Sequence, residues 1–375
     1  MSFPVLRVAT FNTQLLARPG VAFHEQQPYS PEEFEAKATF IAGILQRGQV
    51  DLVGFQEVFH EDALKAAVAK APRFAGAFVT APHADDTGPK TVEGALTAPR
   101  VGLASRLPVT KVESLHAFPA SLGNGFAARR DSAGRQSVVP VDIGFFERPV
   151  LRAEVQLPGD IPAIVYVTHL KSRRSVILDD EDRFDPAVRA RAVVRALVQR
   201  GAEAAALRVM LTADMADRGP AGKPVILLGD LNDELASVTT ELIRGDQPLP
   251  ESLRPLMDDP HAWQRKNRRL WDLHLYSAAD IQAGYIKGAA LYTHIHFGDY
   301  QVLDHILISQ EFYPRNPRRI AALRYVQVYN DHVIDTHMTD LGRGDRTKSD
   351  HGVPVAEFVF DVPQAPETVP AAAVP

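Results

Sequence analysis

Cysteine is absent from the 375-residue chain, which excludes disulfides, thiolate metal sites and a cysteine nucleophile. That absence leaves the compartment open. No run approaches the ~18 apolar residues of a membrane span. No basic, then apolar, then small-residue leader precedes the strand-like Leu6 to Phe11, so no secretory signal is visible and cytoplasmic placement is the simplest expectation; a chain already relieved of a leader would read the same. A surplus of positive charge is lacking too: 41 Lys and Arg face 46 Asp and Glu, for a formal charge of -5. The chain therefore does not coat nucleic acid by bulk charge, and a polyanionic substrate would have to meet local basic patches. Internal repeats and linker-like breaks are also missing. One domain over 1-362 is expected, followed by a disordered Pro/Ala-rich tail over 363-375.

What is present is an ordinary globular composition, 45% hydrophobic and 23% charged, in a chain long enough to bury a substantial core. Its organising stretch is Pro224-Val-Ile-Leu-Leu-Gly-Asp-Leu-Asn-Asp233. Four apolar residues between Pro224 and Gly229 are too few for a helix and suit a strand covered on both faces. Beyond the glycine, alternation points Asp230 and Asn232 the same way and Leu231 back to the core. Read alone, the stretch is equally a strand followed by an ordinary Asp/Asn turn.

The same ending recurs. Val5 to Thr13 alternates and presents Asn12; Val50 to Glu57 is apolar until it closes on a carboxylate; Ala163 to Leu170 ends in Thr168-His169-Leu-Lys-Ser172. Between the first two, Ser30, Pro31 and Glu33 form a helix start, Phe34, Ala38, Ile41, Ile44 and Leu45 recur at helical spacing, and Gly48 stops the helix. Further strands are expected at Phe74 to Thr80, Val101 to Ser105, Val109 to Phe118, Pro149 to Leu157, Ile320 to Val328 and Val353 to Val362, and short helices at 62-71 and Ser237 to Arg244. Asp185-Pro186 starts a long helix expected to bury Val193, Val194, Leu197 and Val198 and to break near Gly201. Leu291 to Ile308 reads as a hairpin turning at Gly298-Asp299, with Asp304-His305 in mid-strand. Residues 119-137, with Arg129, Arg130 and Arg135, and 245-269, with Arg265-Lys-Asn-Arg-Arg269, read as irregular basic stretches. The polar loop 335-349 carries Arg343, Arg346 and Lys348.

The polar strand ends form a set: Asn12, Glu57, His169, Asp230, Asn232 and Asp350-His351, with Asp304 available inside a strand. Carboxylates and amides with few clustered histidines suit a hard cation such as Mg2+, which takes oxygen ligands. Zinc would want three closely spaced histidines or thiolates. His294 and His296 share a strand face, but an isolated His-x-His is more simply a paired surface or core position.

Thr10-Phe-Asn12, Gln56-Glu57, Gly102 to Ser105, Arg148-Pro149, Thr168-His169, Gly229-Asp-Leu-Asn232, Leu303-Asp304 and Ser349-Asp350-His351 occur in one order. In this the chain, over residues 5 to 360, resembles the endonuclease/exonuclease/phosphatase family, which includes DNase I, abasic-site endonucleases, bacterial extracellular nucleases, neutral sphingomyelinases and inositol polyphosphate phosphatases. The resemblance implies an α+β, four-layer α/β/β/α sandwich of two mixed sheets with helices outside. It implies a metal-dependent phosphoesterase using Mg2+, with Mn2+ as a substitute. Glu57 would be the principal metal ligand, with Asn12 and Asp350 beside the ion; Asp304 would orient His351. The expected mechanism is in-line attack by a water activated by His351 or Asp230, with Asn232, His169 and Arg148 on the non-bridging oxygens.

Departures bear on substrate. Abasic-site endonucleases carry a tyrosine in place of His169, and DNase I pairs that histidine with an acid, whereas Ala98-Pro-Arg100 offers none. The Cys-Asp-Arg motif of inositol polyphosphate phosphatases is replaced by Leu303-Asp-His-Ile306. His169-Leu-Lys-Ser-Arg-Arg174 and Tyr292 to His305 are similar to bacterial extracellular nucleases, so a nucleic acid substrate is expected, with Lys171, Arg173 and Arg174 contacting its backbone. Asn12 to Leu16 and Glu57-Val-Phe59 are similar to sphingomyelinases. A phospholipid phosphodiesterase, a small-molecule phosphatase and a catalytically inactive binding module are the alternatives; no aromatic-rich membrane-docking hairpin is visible.

Overall fold

A computed structural model describes residues 4-24, 26-122, 143-216, 223-247, 260-286, 288, 290-335 and 344-360. The chain runs β1 (Val5–Leu16), α1 (Pro31–Arg47), β2 (Leu52–Val58), α2 (Glu61–Ala69), β3 (Phe78–Thr80), β4 (Arg100–Ser105) and β5 (Val109–Ala117). It continues through β6 (Phe145–Leu157), β7 (Ile161–His169), α3 (Pro186–Ala216), β8 (Val225–Asp230), α4 (Val238–Arg244) and α5 (Pro260–Leu273). It closes with β9 (Tyr276–Ser277), α6 (Ala278–Tyr285), β10 (His294–His296), β11 (Asp299–Gln301), β12 (Asp304–Ile308), β13 (Ala322–Tyr329) and β14 (Val353–Val359).

Two mixed six-stranded sheets result, ordered β13-β14-β1-β2-β4-β3 and β5-β6-β7-β8-β12-β9. Each has a parallel pair at its centre, β1 with β2 and β7 with β8, joined across α1 and α3 respectively; the other pairings are antiparallel. A parallel return needs such a crossover. The sheets meet through Val8, Leu52 and Leu103 on one side and Val165, Val167, Ile226 and Leu228 on the other. The sheets come close at Gly54: a Cβ there would lie 2.9 Å from Val167 and 3.0 Å from Leu228. Outside, Ile41 and Leu45 of α1 and Leu64 of α2 cover Phe11, Val53 and Phe55, while Leu207 and Leu211 of α3 cover Tyr166 and Leu227. This is the four-layer sandwich. The start of α1 is a full capping box: Glu33 N donates to Ser30 Oγ at 3.1 Å, and Ser30 N donates to Glu33 Oε2 at 2.8 Å.

Local expectations need correction. α3 is continuous through Gly201, and Val193, Val194, Leu197 and Val198 face solvent at 39–54% exposure. Its inner face is instead Val188, Ala192, Ala196, Ala204, Leu207 and Leu211, with Arg200 and Glu203 buried among them. Alanines let the helix lie close to the sheet, and the two charged residues find partners there. Residues 260-273 form a helix rather than a loop. The β10–β11 turn is Phe297-Gly298, one residue earlier than expected, with φ of 49° and 83° as a type I′ turn requires. β12 is separate and starts at Asp304, so that residue stands at a strand end, paired across from Asp230. A short 3-10 turn, Pro72–Phe74, takes the start of the strand expected from Phe74. The basic stretch 123-135, Arg343 and the 363-375 tail lie outside the described residues.

Candidate active site

The β1–β2 pair supplies one half of a rim. β1 slips register against β2 between Asn12 and Leu16, and Gln14 and Leu15 adopt φ of 50° and 62°. Such left-handed backbone in non-glycine residues clusters where function demands it. Here it turns Leu15 N onto Glu57 Oε2 at 3.0 Å. Asn12 Nδ2 donates to Asp230 Oδ2 at 3.0 Å and to Glu57 Oε1 at 3.4 Å, so one amide ties the two sheets together. Thr13 Oγ1 donates to the Gln56 carbonyl at 2.8 Å, fixing β2 just before its carboxylate.

The other half comes from β7, β8 and β12. His169 and Asp230 are register partners in the parallel pair, and Asp230 and Asp304 in the antiparallel one. Asp230 Oδ1 accepts Asn232 N at 2.8 Å; Asn232 Nδ2 donates to the Leu170 carbonyl at 3.0 Å. Asp304 Oδ2 lies 2.7 Å from His351 Nδ1. This contact directs His351 Nε2 outward, 3.9 Å from Asp230 Oδ2, while His169 Nε2 is 3.5 Å from the same oxygen. Ser349 Oγ accepts His351 N at 3.0 Å and donates to the Asn12 carbonyl at 2.7 Å, closing the rim.

The electrostatics follow from burial and proximity. Loss of water, then repulsion from Asp350, raises the Glu57 pKa against the opposing pull of His351 and Arg148. Burial pushes Asp230 up to about 7, with the His351 charge opposing and Asp304 adding. Burial also disfavours a charged His351, but the Asp304 and Asp230 carboxylates overcome it and hold the ring protonated well above the ordinary range. His169 is driven well below that range by burial and then by the Arg148 charge, so it is neutral. The rim thus pairs a cationic imidazole with carboxylates that lack a full complement of positive charge.

Asn12, Glu57, His169, Asp230, Asn232, Asp304, Asp350 and His351 therefore come together. Arg148 stands beside them, its charge felt by Glu57 and His169 and its Nη1 3.4 Å from the Leu170 carbonyl. Lys171 is bound to Glu147 at 2.9 Å, and Arg173 to Asp233 at 2.9 Å and the Asn232 carbonyl at 3.1 Å; Arg174 is exposed. Three features escaped the sequence reading. The His294 ring stands 5.0 Å from that of His351, although its alternation with His296 was visible. Lys37, buried in α1, donates to the Arg346 and Lys348 carbonyls at 3.0 Å each and so holds the loop leading to Asp350. Arg200 binds Asp233 at 3.2 Å, and Glu203 accepts the Glu147 and Lys171 amides at 2.9 and 2.7 Å, bracing the strand ends from behind.

The donor set fits a hard divalent cation. Asp350 stands close enough to Glu57 to raise the cost of charging it, and Asp304 Oδ1 is a buried acceptor with no partner.

A model of the endonuclease/exonuclease/phosphatase family matches residues 9–351. The chain belongs to that family. As an endonuclease/exonuclease/phosphatase family member it is a metal-dependent phosphoester hydrolase. Solved structures of similar architecture include an endonuclease/exonuclease/phosphatase family protein from Bacteroides thetaiotaomicron, 13% identical, covering 96% of this chain and 98% of that one at a TM-score of 0.49. TDP2 from D. rerio complexed with single strand DNA product is 14% identical over 94% and 98%, TM-score 0.47. The mannosyl-6-phosphatase Bt3783 of B. thetaiotaomicron is 14% identical over 95% and 100%, TM-score 0.48. A search of curated proteins finds no match. Among the described residues of this family member, no helix is long and apolar enough to cross a membrane.

Proposed function

We propose that the protein is a nuclease that cleaves phosphodiester bonds in DNA or RNA with Mg2+ held by Glu57, Asn12 and Asp350. The observation that carries this reading is the Asp304–His351 pair facing Asp230 across from the Glu57 and Asp350 carboxylates. Asp230, oriented by Asn12 Nδ2 and Asn232 N, accepts a proton from the attacking water. The new P–O bond forms in line as the bond to the leaving oxygen breaks. His351, held by Asp304 at Nδ1, presents Nε2–H to a non-bridging oxygen, and Arg148, Asn232 and neutral His169 flank the same phosphoryl group. Mg2+, when bound, supplies positive charge against the developing charge on the phosphoryl and leaving oxygens.

A polymeric substrate is supported by the segment after β7. Arg173 is clamped to the Asn232–Asp233 turn, and its exposed neighbour Arg174 would be available to a phosphate further along a bound strand.

The test is cleavage of supercoiled plasmid and of single-stranded RNA by the purified protein in Mg2+, beside an EDTA control and His351→Ala. Cleavage lost in both controls is expected, and Arg174→Ala should weaken polymer cleavage more than hydrolysis of a small diester. Turnover of sphingomyelin or phosphomonoesters with both polymers untouched would replace the nuclease reading.

A further inference from the structure

His294 is not used in the chemistry above, yet it is held at the rim by its neighbour. Thr293 Oγ1 accepts the Leu303 and Asp304 amides at 3.0 and 3.2 Å, and the Thr293 carbonyl accepts Gly352 N at 2.6 Å. The hairpin β10–β11 is thereby fixed to both stretches that carry the Asp304–His351 pair. His294 Nδ1 is buried with no hydrogen-bond partner, where a buried ring nitrogen ordinarily has one. One nitrogen of His294, one of His351 and a carboxylate oxygen of Asp350 lie within 4.8 Å of one another. Asp304 occupies His351 Nδ1, so Nε2 is the nitrogen left to bind, in the arrangement by which carboxylates orient metal-bound histidines.

We propose that His294, Asp350 and His351 form a second cation position that takes Zn2+ or Co2+ rather than Mg2+, and that filling it inhibits the enzyme. Two imidazoles and one carboxylate are donors for a borderline metal, whereas Mg2+ demands oxygen in octahedral array. Bonds of ~2 Å in a tetrahedral site put donors roughly 3.3 Å apart, so the three groups need only a modest inward shift. His294 and Asp350 are partly exposed, which gives an ion access and leaves a coordination position to water. Inhibition follows from which atoms are taken. His351 Nε2 is the atom that faces Asp230, and once ligated it has no proton for the phosphate; Asp350 is drawn from the Mg2+ position. The inhibitory half rests on the proposed mechanism, whereas the binding half stands on the geometry alone.

The experiment uses the metal-free full chain and Co2+ as a visible-absorption probe. Wild type should bind Co2+ with a ligand-field band that Zn2+ abolishes, and His294→Gln should weaken that binding at least about tenfold. His294→Asp, a second variant with an oxygen donor, should shift preference from Zn2+ toward Mn2+. With Mg2+ saturating, Zn2+ should inhibit, and His294→Gln should need at least about tenfold more for half-inhibition of its own zinc-free rate. A wild type without a Co2+ band, or folded His294 variants with unchanged Co2+ affinity and spectrum, overturns the site even if Mg2+-dependent hydrolysis is intact. Co2+ bound through His294 in a protein that hydrolyses no phosphodiester removes the mechanism and the inhibition while leaving the site.

Discussion

The two ends of β2 each carry an acid withdrawn from solvent, Asp51 buried and Glu57 partly so, and they are treated oppositely. Asp51, just before the strand, accepts Arg7 N at 2.9 Å and pairs with Arg73 at 2.6 Å and with Arg106. Glu57, near its other end, receives one backbone amide and one side-chain amide and stands beside another carboxylate. A carboxylate that serves the fold is neutralised by the fold. One left short of positive charge suits the proposed role of Glu57, holding a cation supplied from outside.

The contrast is tested most sharply by removing each acid. Glu57→Gln is expected to lower Mg2+-supported hydrolysis on the order of 10^3-fold, while the metal-free protein unfolds at the same or higher denaturant concentration. Mg2+ should raise the wild-type melting temperature and leave that of the variant in place. Equal loss of stability and activity would show Glu57 to be a structural acid like Asp51. Asp51→Asn should do the reverse, costing about 2 kcal/mol because its arginines are only partly buried, with kcat/KM per folded molecule unchanged; urea titration and kinetics on one preparation decide it.

A third buried titratable group separates scaffold from site by pH. His274 is 3% exposed, with Nδ1 3.1 Å from the Gly245 carbonyl, and burial followed by the Arg244 charge lowers its pKa to about 4. The unfolded chain takes up this proton below about pH 6.5, whereas the folded one does so only near 4, so stability is present above 6.5 and drains away between those values. The loss attributable to His274 should be of order 3 kcal/mol, read as the difference in pH dependence of the urea midpoint between wild type and His274→Gln; parallel curves would remove His274 as the cause. The smallest effect is at the α1 cap. Ser30→Ala should cost about 1 kcal/mol and leave the metal requirement untouched, since Lys37, through which the helix holds the loop leading to Asp350, lies about two turns beyond the cap; a changed metal requirement would mean that loosening the cap reaches Lys37.

The sheet architecture was legible because apolar runs ended in polar residues, which mark strand ends wherever they fall in space. The same signal gathered Asn12, Glu57, Asp230 and His351 into one list. It could not show that Asn12 reaches Asp230, 218 residues on, because alternation gives a side chain's direction and not what lies opposite. α3 was misoriented for a related reason. Hydropathy favours Val193 and Leu197 as the inner face, but the helix is rotated so that Arg200 and Glu203 meet Asp233 and the strand-end amides, with alanine filling the remaining contact. Lys37 resembled an ordinary helix-surface charge, and His294 an ordinary hairpin residue, until the loop and strand that face them were in place.

The bond from Ser349 to the Asn12 carbonyl joins groups 337 residues apart. A chain leaving the ribosome can lay down both central parallel pairs, and with them Asn12, Glu57 and Asp230, long before His351 exists. Until the last strand docks, β1 lacks the hydroxyl that pins its end and the phosphate lacks its imidazole. On the proposed roles a half-made molecule is chemically silent, and the potential to cut phosphoesters is then the last property the nascent protein acquires.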